Sequence, residues 1–140
     1  MSAGAAARDR SYFEDVEVDA RYETPGLTVT EAHVALYAGV TGDEAPAAGL
    51  APEILALCLS TGLGWRLDRP RLVVLAFMGI DWKILRPLRV GDTIKSMART
   101  AVKRSMREGG VVIEEHSIVD QHGEILQQGR FTFLVAKRPA

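Results

Sequence analysis

Residues 49–65 read GLAPEILALCLSTGLGW. Ile54, Leu55, Leu57, Leu59 and Leu63, with Ala56 and Cys58 among them, leave almost no polar stripe. A surface helix carries one apolar face, whereas this segment is apolar nearly all round. Pro52 suits a helical first turn, where its missing N–H costs nothing, and Gly62 and Gly64 suit the end. The segment is too short to span a membrane. It reads as a helix enclosed by the protein, with sheet wrapped around it.

Upstream, Thr30 is a good N-cap and Glu31 puts a negative charge in the first turn of a helix over 31–40. That helix is expected to pack through Val34, Tyr37 and Val40 or their near neighbours, and to stop at Thr41-Gly42-Asp43, where glycine supplies the left-handed cap. A short loop, DEAPAA at 43–48, joins the two helices. Residues 27–30 form a short strand after the Pro25-Gly26 turn signal. SYFEDVEVD at 11–19 alternates weakly and offers Tyr12, Phe13, Val16 and Val18 to a neighbour. Residues 1–10 read as a loose tail, which leaves 11–140 as the domain.

Downstream, Asp68-Arg69-Pro70 breaks the chain and strands follow. Residues 72–85 are long and apolar, with Gly79 as a bulge; Pro87 and Gly91-Asp92 mark a turn. Strands over 93–106, 111–120 and 124–136 are separated by Glu108-Gly109-Gly110 and by Gln121-His122-Gly123. Two helices and then a meander make an α+β domain. One antiparallel sheet curved round one apolar helix leaves two long edges. A second protomer that continues the sheet is the usual cover, so a dimer is expected.

Bulk numbers exclude several classes of function. The chain has 140 residues, 47% hydrophobic and 25% charged, as in an ordinary globular domain with a real core. A net charge of −1 offers no field for nucleic acid or an anionic membrane. The basic stretches at 83–89 and 99–107 read as solvated strand faces. Cys58 is the one cysteine, so no internal disulfide forms; nothing joins it at a metal-ligand spacing, and it reads as inert packing. MSAGAAARDR lacks an apolar core of the kind a signal peptide needs, which makes the cytoplasm the expected compartment.

The order of segments resembles the MaoC-like dehydratases, the hot-dog-fold group that contains (R)-specific enoyl-CoA hydratases. YFEDVEVDARYE resembles their opening segment, and LTVTEAHVALYAGVTGD their T-V-T-E-A-D helix running into Thr-Gly-Asp. LAPEILALCLSTGL is similar to the central helix, FMGIDWKILRPLRVGDTI to the F-L-x-P-V-x-x-G-D-T stretch, and VDQHGEILQQGRFTFLV to the closing hairpin. The resemblance covers nearly the whole chain after residue 10. It implies a single hot-dog domain, a curved antiparallel sheet around a long central helix, dimeric through a continuous sheet.

It also implies a reaction: water added across a 2-enoyl thioester, or removed from a 3-hydroxyacyl one. Such chemistry needs a base for water, an acid for the α-carbon and donors to the thioester oxygen. The family takes them from a G-D-x-N-P-x-H loop and from a His-Gly at the start of the central helix. Here the loop is Gly42-Asp43-Glu44-Ala45-Pro46-Ala47-Ala48, and the helix pair is Pro52-Glu53. The asparagine and histidine positions are alanine, and a segment before the central helix is missing. The resemblance therefore leaves Asp43 as the retained catalytic position and makes Glu53 an acid–base candidate. Pro46, Ala48, Pro52, Ile54 and Trp82 are the implied substrate-binding residues, although Trp82 and Asp81 serve the fold first. The thioester carrier, CoA or a carrier-protein phosphopantetheine, belongs to the substrate, and no separate cofactor or metal is expected.

Other polar residues have blander readings. His33 reads as exposed, and His122 as lying in a turn between strands. Strand alternation puts Glu114 and His116 on one face with Val112 and Ile118, yet burying both groups is costly, so Glu114, Glu115 and His116 are expected on an exposed or dimer-facing part of the strand. Two alternatives accompany the hydratase/dehydratase reading. One is a non-catalytic subunit paired with a MaoC-like paralogue that keeps its catalytic pair. The other is a hot-dog fold recruited to thioester hydrolysis or a biosynthetic rearrangement through Glu53.

Overall fold

The computed structural model describes residues 10–140; of the tail expected over 1–10, residues 1–9 lie outside them, and Arg10 is in a strand rather than a tail. Arg10 already belongs to β1 (Arg10–Ser11), which pairs in parallel with β4 (Arg71–Leu72). A 3-10 turn at Phe13–Asp15 follows, then β2 (Arg21–Glu23), β3 (Leu27–Thr28), α1 (Glu31–Thr41) and α2 (Glu53–Gly64). Four long strands close the chain: β5 (Val74–Ile84), β6 (Thr93–Met106), β7 (Gly109–Val119) and β8 (Ile125–Val135). The main sheet runs β2-β6-β7-β8-β5, antiparallel throughout, with β3 also paired to β6. This is the expected α+β hot-dog architecture, with α2 laid against the sheet.

Local chemistry sets the boundaries. Thr30 is the N-cap of α1, whose N–H donates to His33 Nδ1 at 2.9 Å, so His33 works as a capping residue. Gly42 ends the helix at φ 74°. The bulge expected at Gly79 falls between Phe77 and Gly79 of β5. Gly109 and Gly110 belong to β7 itself, where the sequence suggested part of a turn. A Cβ on Gly109 would stand 2.6 Å from the Val135 carbonyl oxygen, and one on Gly110 would stand 2.2 Å from the Phe13 ring. The glycines let the strand end pass close to its neighbours.

The main core joins Leu55 and Ala56 of α2 to Val29, Val34, Leu88, Ile94, Ile118 and Leu126. Each of the valine, leucine and isoleucine side chains contributes about 1.5–3 kcal/mol by leaving water. Phe13, Val112 and Val135 form a second, smaller cluster. Three expectations about packing do not hold. The central helix is not enclosed, because the sheet of one chain covers only the flank bearing Leu55, Ala56, Ser60 and Leu63. Ile54 and Trp65 lie 45% and 51% exposed, and Cys58 is exposed as well. Val40 points away from the core at 87% exposure, since the apolar face of α1 runs through Val34 and Tyr37.

A second apolar surface lies on β5, at one end of the strand order. Leu75, Phe77, Met78, Ile80, Ile84 and Leu85 are exposed along or just beyond it. Among the described residues no strand pairs with its outer edge. No helix among the described residues is long and apolar enough to cross a membrane.

Candidate functional site

The N-terminal end of α2 and the loop before it hold the residues singled out in the sequence. Asp43 is exposed just past the C-cap of α1. Its backbone N–H donates to Thr41 Oγ1 at 3.0 Å, and its carboxylate accepts the Tyr37 hydroxyl at 3.2 Å. Loss of solvent around the phenol, and then that bond to Asp43, raise the pKa of Tyr37 above its ordinary value. Pro46 and Ala48 lie in the exposed loop. Glu53 is the first residue of α2, with Pro52 as a buried N-cap, and its side chain is exposed. Trp82 is half-buried; its indole N–H donates to Gln127 Oε1 at 2.8 Å, and Gln127 Nε2 donates to the Glu53 carbonyl at 2.8 Å. Trp82 and Gln127 thus tie the helix start to the sheet. His122 sits in the exposed β7–β8 turn.

None of these residues borders the main apolar cavity. That cavity, about 230 Å³, lies between the C-terminal half of α2 and the sheet, and its lining is mostly apolar. Tyr22, Ser60, Trp65, Phe77, Ser96 and Phe131 contribute to its walls, and Glu114 and His116 line it as well. Exposed Trp65 and Arg71 mark its rim. The Arg69 guanidinium lies 3.6 Å over the Tyr22 ring, and that of Arg71 lies 5.5 Å over Trp65. Cation–π stacking of this kind holds a long basic side chain in place beside the opening.

The polar groups inside are few and connected. Ser60 and Ser96 hydroxyls meet at 2.8 Å, both residues buried. The Ser96 backbone N–H donates to Thr24 Oγ1 at 2.8 Å, and the Thr24 hydroxyl donates to the Pro25 carbonyl at 3.0 Å. His116 Nε2 and Glu114 Oε1 are 3.2 Å apart, with side-chain exposures of 13% and 9%. The imidazole stacks on Phe131, centroids 4.1 Å apart. This overturns the expectation that Glu114 and His116 are exposed or dimer-facing. Alternation did place them with Val112 and Ile118, and mutual pairing makes their burial tolerable. Glu115 points to the opposite face, where Arg99 and Arg130 each donate to it at 3.0 Å. The hydrogen bond from Arg99, above all, holds the Glu115 carboxyl below the usual carboxylate range.

Ser60, Ser96 and Thr24 were not foreseen as site residues. The available signal was Ser60, a polar residue on the otherwise apolar flank of α2.

No protein-family model matches the chain, and no curated protein matches its sequence. Solved structures do resemble it. A monoamine oxidase regulatory protein of Archaeoglobus fulgidus is 27% identical at a TM-score of 0.84, covering 93% of this chain and 97% of its own. An R-hydratase of Pseudomonas aeruginosa is 18% identical at TM-score 0.76, over 91% of this chain and 86% of its own. A MaoC-like dehydratase of Rhodospirillum rubrum is 16% identical at TM-score 0.77, over 93% and 99%. The chain has the hot-dog fold of the MaoC-like dehydratases and (R)-hydratases.

Proposed function

We propose that the chain is an acyl-thioester hydratase or dehydratase, a hydro-lyase acting on a 2-enoyl or 3-hydroxyacyl group carried by CoA or a carrier protein. The observation that carries this reading is the cavity beneath α2, apolar along its walls and polar at Glu114 and His116. An apolar chamber with a few convergent polar groups is how small-molecule sites are built. At about 230 Å³ it has the volume of about eight waters, room for a short or medium acyl chain. Arg69 and Arg71 at the rim suit the anionic phosphates of a CoA or phosphopantetheine arm.

The working unit is a dimer joined along β5, whose open apolar edge needs a partner strand. Asp43 is the position shared with the family motif, and its contribution is decided by substitution. Purified protein is expected to convert crotonyl-CoA to a product heavier by one water, and to run the reverse reaction on 3-hydroxybutyryl-CoA. Absence of both conversions across short and medium acyl chains rejects the reading. Release of free thiol instead would redirect it to hydrolysis.

A further inference from the structure

We propose that Glu114 is the acid–base residue of the cavity and that His116 is its positioning residue. This rests on the thioester reading above and names the group that performs its proton transfers. Strand β7 points Val112, Glu114, His116 and Ile118 to the same side, and all but half-buried His116 are buried. Packing alone would be served by apolar residues at all four positions, and removing two ionisable groups from water costs several kcal/mol each before they pair. The pair is also over-constrained. His116 is stacked on Phe131, and its Nε2 lies 3.2 Å from Glu114 Oε1, within hydrogen-bond reach. A carboxylate acceptor at Nε2 calls for the proton on that nitrogen, and Nδ1 is the one buried side-chain nitrogen or oxygen without a hydrogen-bond partner among the described residues. Glu114 lines the cavity, and its one hydrogen bond among the described residues is made through Oε1, which leaves Oε2 without such a partner for a ligand.

The chemistry balances with this one carboxylate. Oε2 accepts a proton from water as the water oxygen bonds to the β-carbon. The C=C π pair moves to the α-carbon and into the thioester carbonyl. The proton held on Oε2 then passes to the α-carbon, and the carboxylate is restored. One O–H and one π bond break, and one C–O and one C–H bond form. The transient negative charge on the thioester oxygen has a donor at hand. Two hydroxyls sharing one hydrogen bond use one proton between them, so Ser60 and Ser96 retain an O–H for the ligand. Ser96 stands on β6 two residues from Ala98, which is paired with His116.

The test uses crotonyl-CoA and the intact protein. Glu114→Gln is expected to lower kcat by about 10²–10⁴-fold with KM little changed. His116→Phe, which keeps the stacking, should cost about tenfold in kcat, and His116→Gln, which keeps an N–H donor, should recover part of it. Wild-type kcat in Glu114→Gln overturns the proposal, as does activity lost in Asp43→Asn while Glu114→Gln retains it. Circular dichroism identifies variants that misfold, and the wild type then decides: the His116 ring nitrogen resonances should move on saturation with butyryl-CoA. Unmoved resonances overturn the assignment. Absence of wild-type turnover rejects the hydro-lyase reading separately, because the resonance shift still reports whether the pair meets the ligand.

Discussion

The two halves of α2 meet the sheet in different ways. Around Leu55 and Ala56 the contact is closed: apolar side chains from α1, the sheet and the β5–β6 connection fill the space. Around Ser60 and Gly64 the contact opens into the cavity, and hydroxyls and an ionisable pair replace aliphatic packing. The N-terminal half carries the motif positions of the hot-dog dehydratases on its surface; the C-terminal half carries the concealed polar groups. A helix can therefore be a packing element at one end and the wall of a chamber at the other, and similarity of motif need not coincide with the chamber.

That contrast can be broken by substitution. The largest expected effect is at the closed end: Leu55→Ala should cost about 2–5 kcal/mol in urea-induced unfolding. A loss below about 1 kcal/mol would mean that this half is not firmly packed. At the open end Ser60→Ala should cost only about 0.5–1.5 kcal/mol, and it should weaken acyl-CoA binding measured by calorimetry, which Leu55→Ala need not do. Equal stability losses at the two ends would erase the distinction. The smallest effect concerns pH. Because Arg99 lowers the Glu115 carboxyl in the folded chain, its stabilisation is present above the ordinary carboxylate range and is lost as pH falls through the lowered folded value. Thermal scans of Glu115→Gln should accordingly show a flatter acid limb than wild type, and an unchanged limb would remove the Arg99–Glu115 bond from the stability account.

Strand positions and helix ends were readable because alternation and capping act locally. Thr30, Gly42 and the bulge beside Gly79 stand where short-range chemistry put them. The flank of α2 was not readable: Ile54 and Cys58 are as apolar as Leu55, and composition does not say which side the sheet covers. The chamber escaped notice for a related reason. Alternation placed Glu114 beside His116, but the cost of burying either alone argued for exposure, and only the three-dimensional pairing offsets that cost. Asp43 and Glu53 were conspicuous through their motif positions, and their surroundings depend on a loop whose path sequence does not dictate.

The flanks of the sheet carry a last consequence. On one side β6 carries two short pieces, β2 and β3, which pair with Thr93, Ile94 and Met97–Arg99 and leave its C-terminal half without a strand neighbour among the described residues. On the other, β5 presents eleven residues of open strand. The two margins therefore differ in kind, one a continuous apolar strand edge and the other interrupted along its length. In the proposed dimer, two copies meeting through β5 about a twofold axis would use up each other's continuous edge and leave outward only the interrupted margin beside β6.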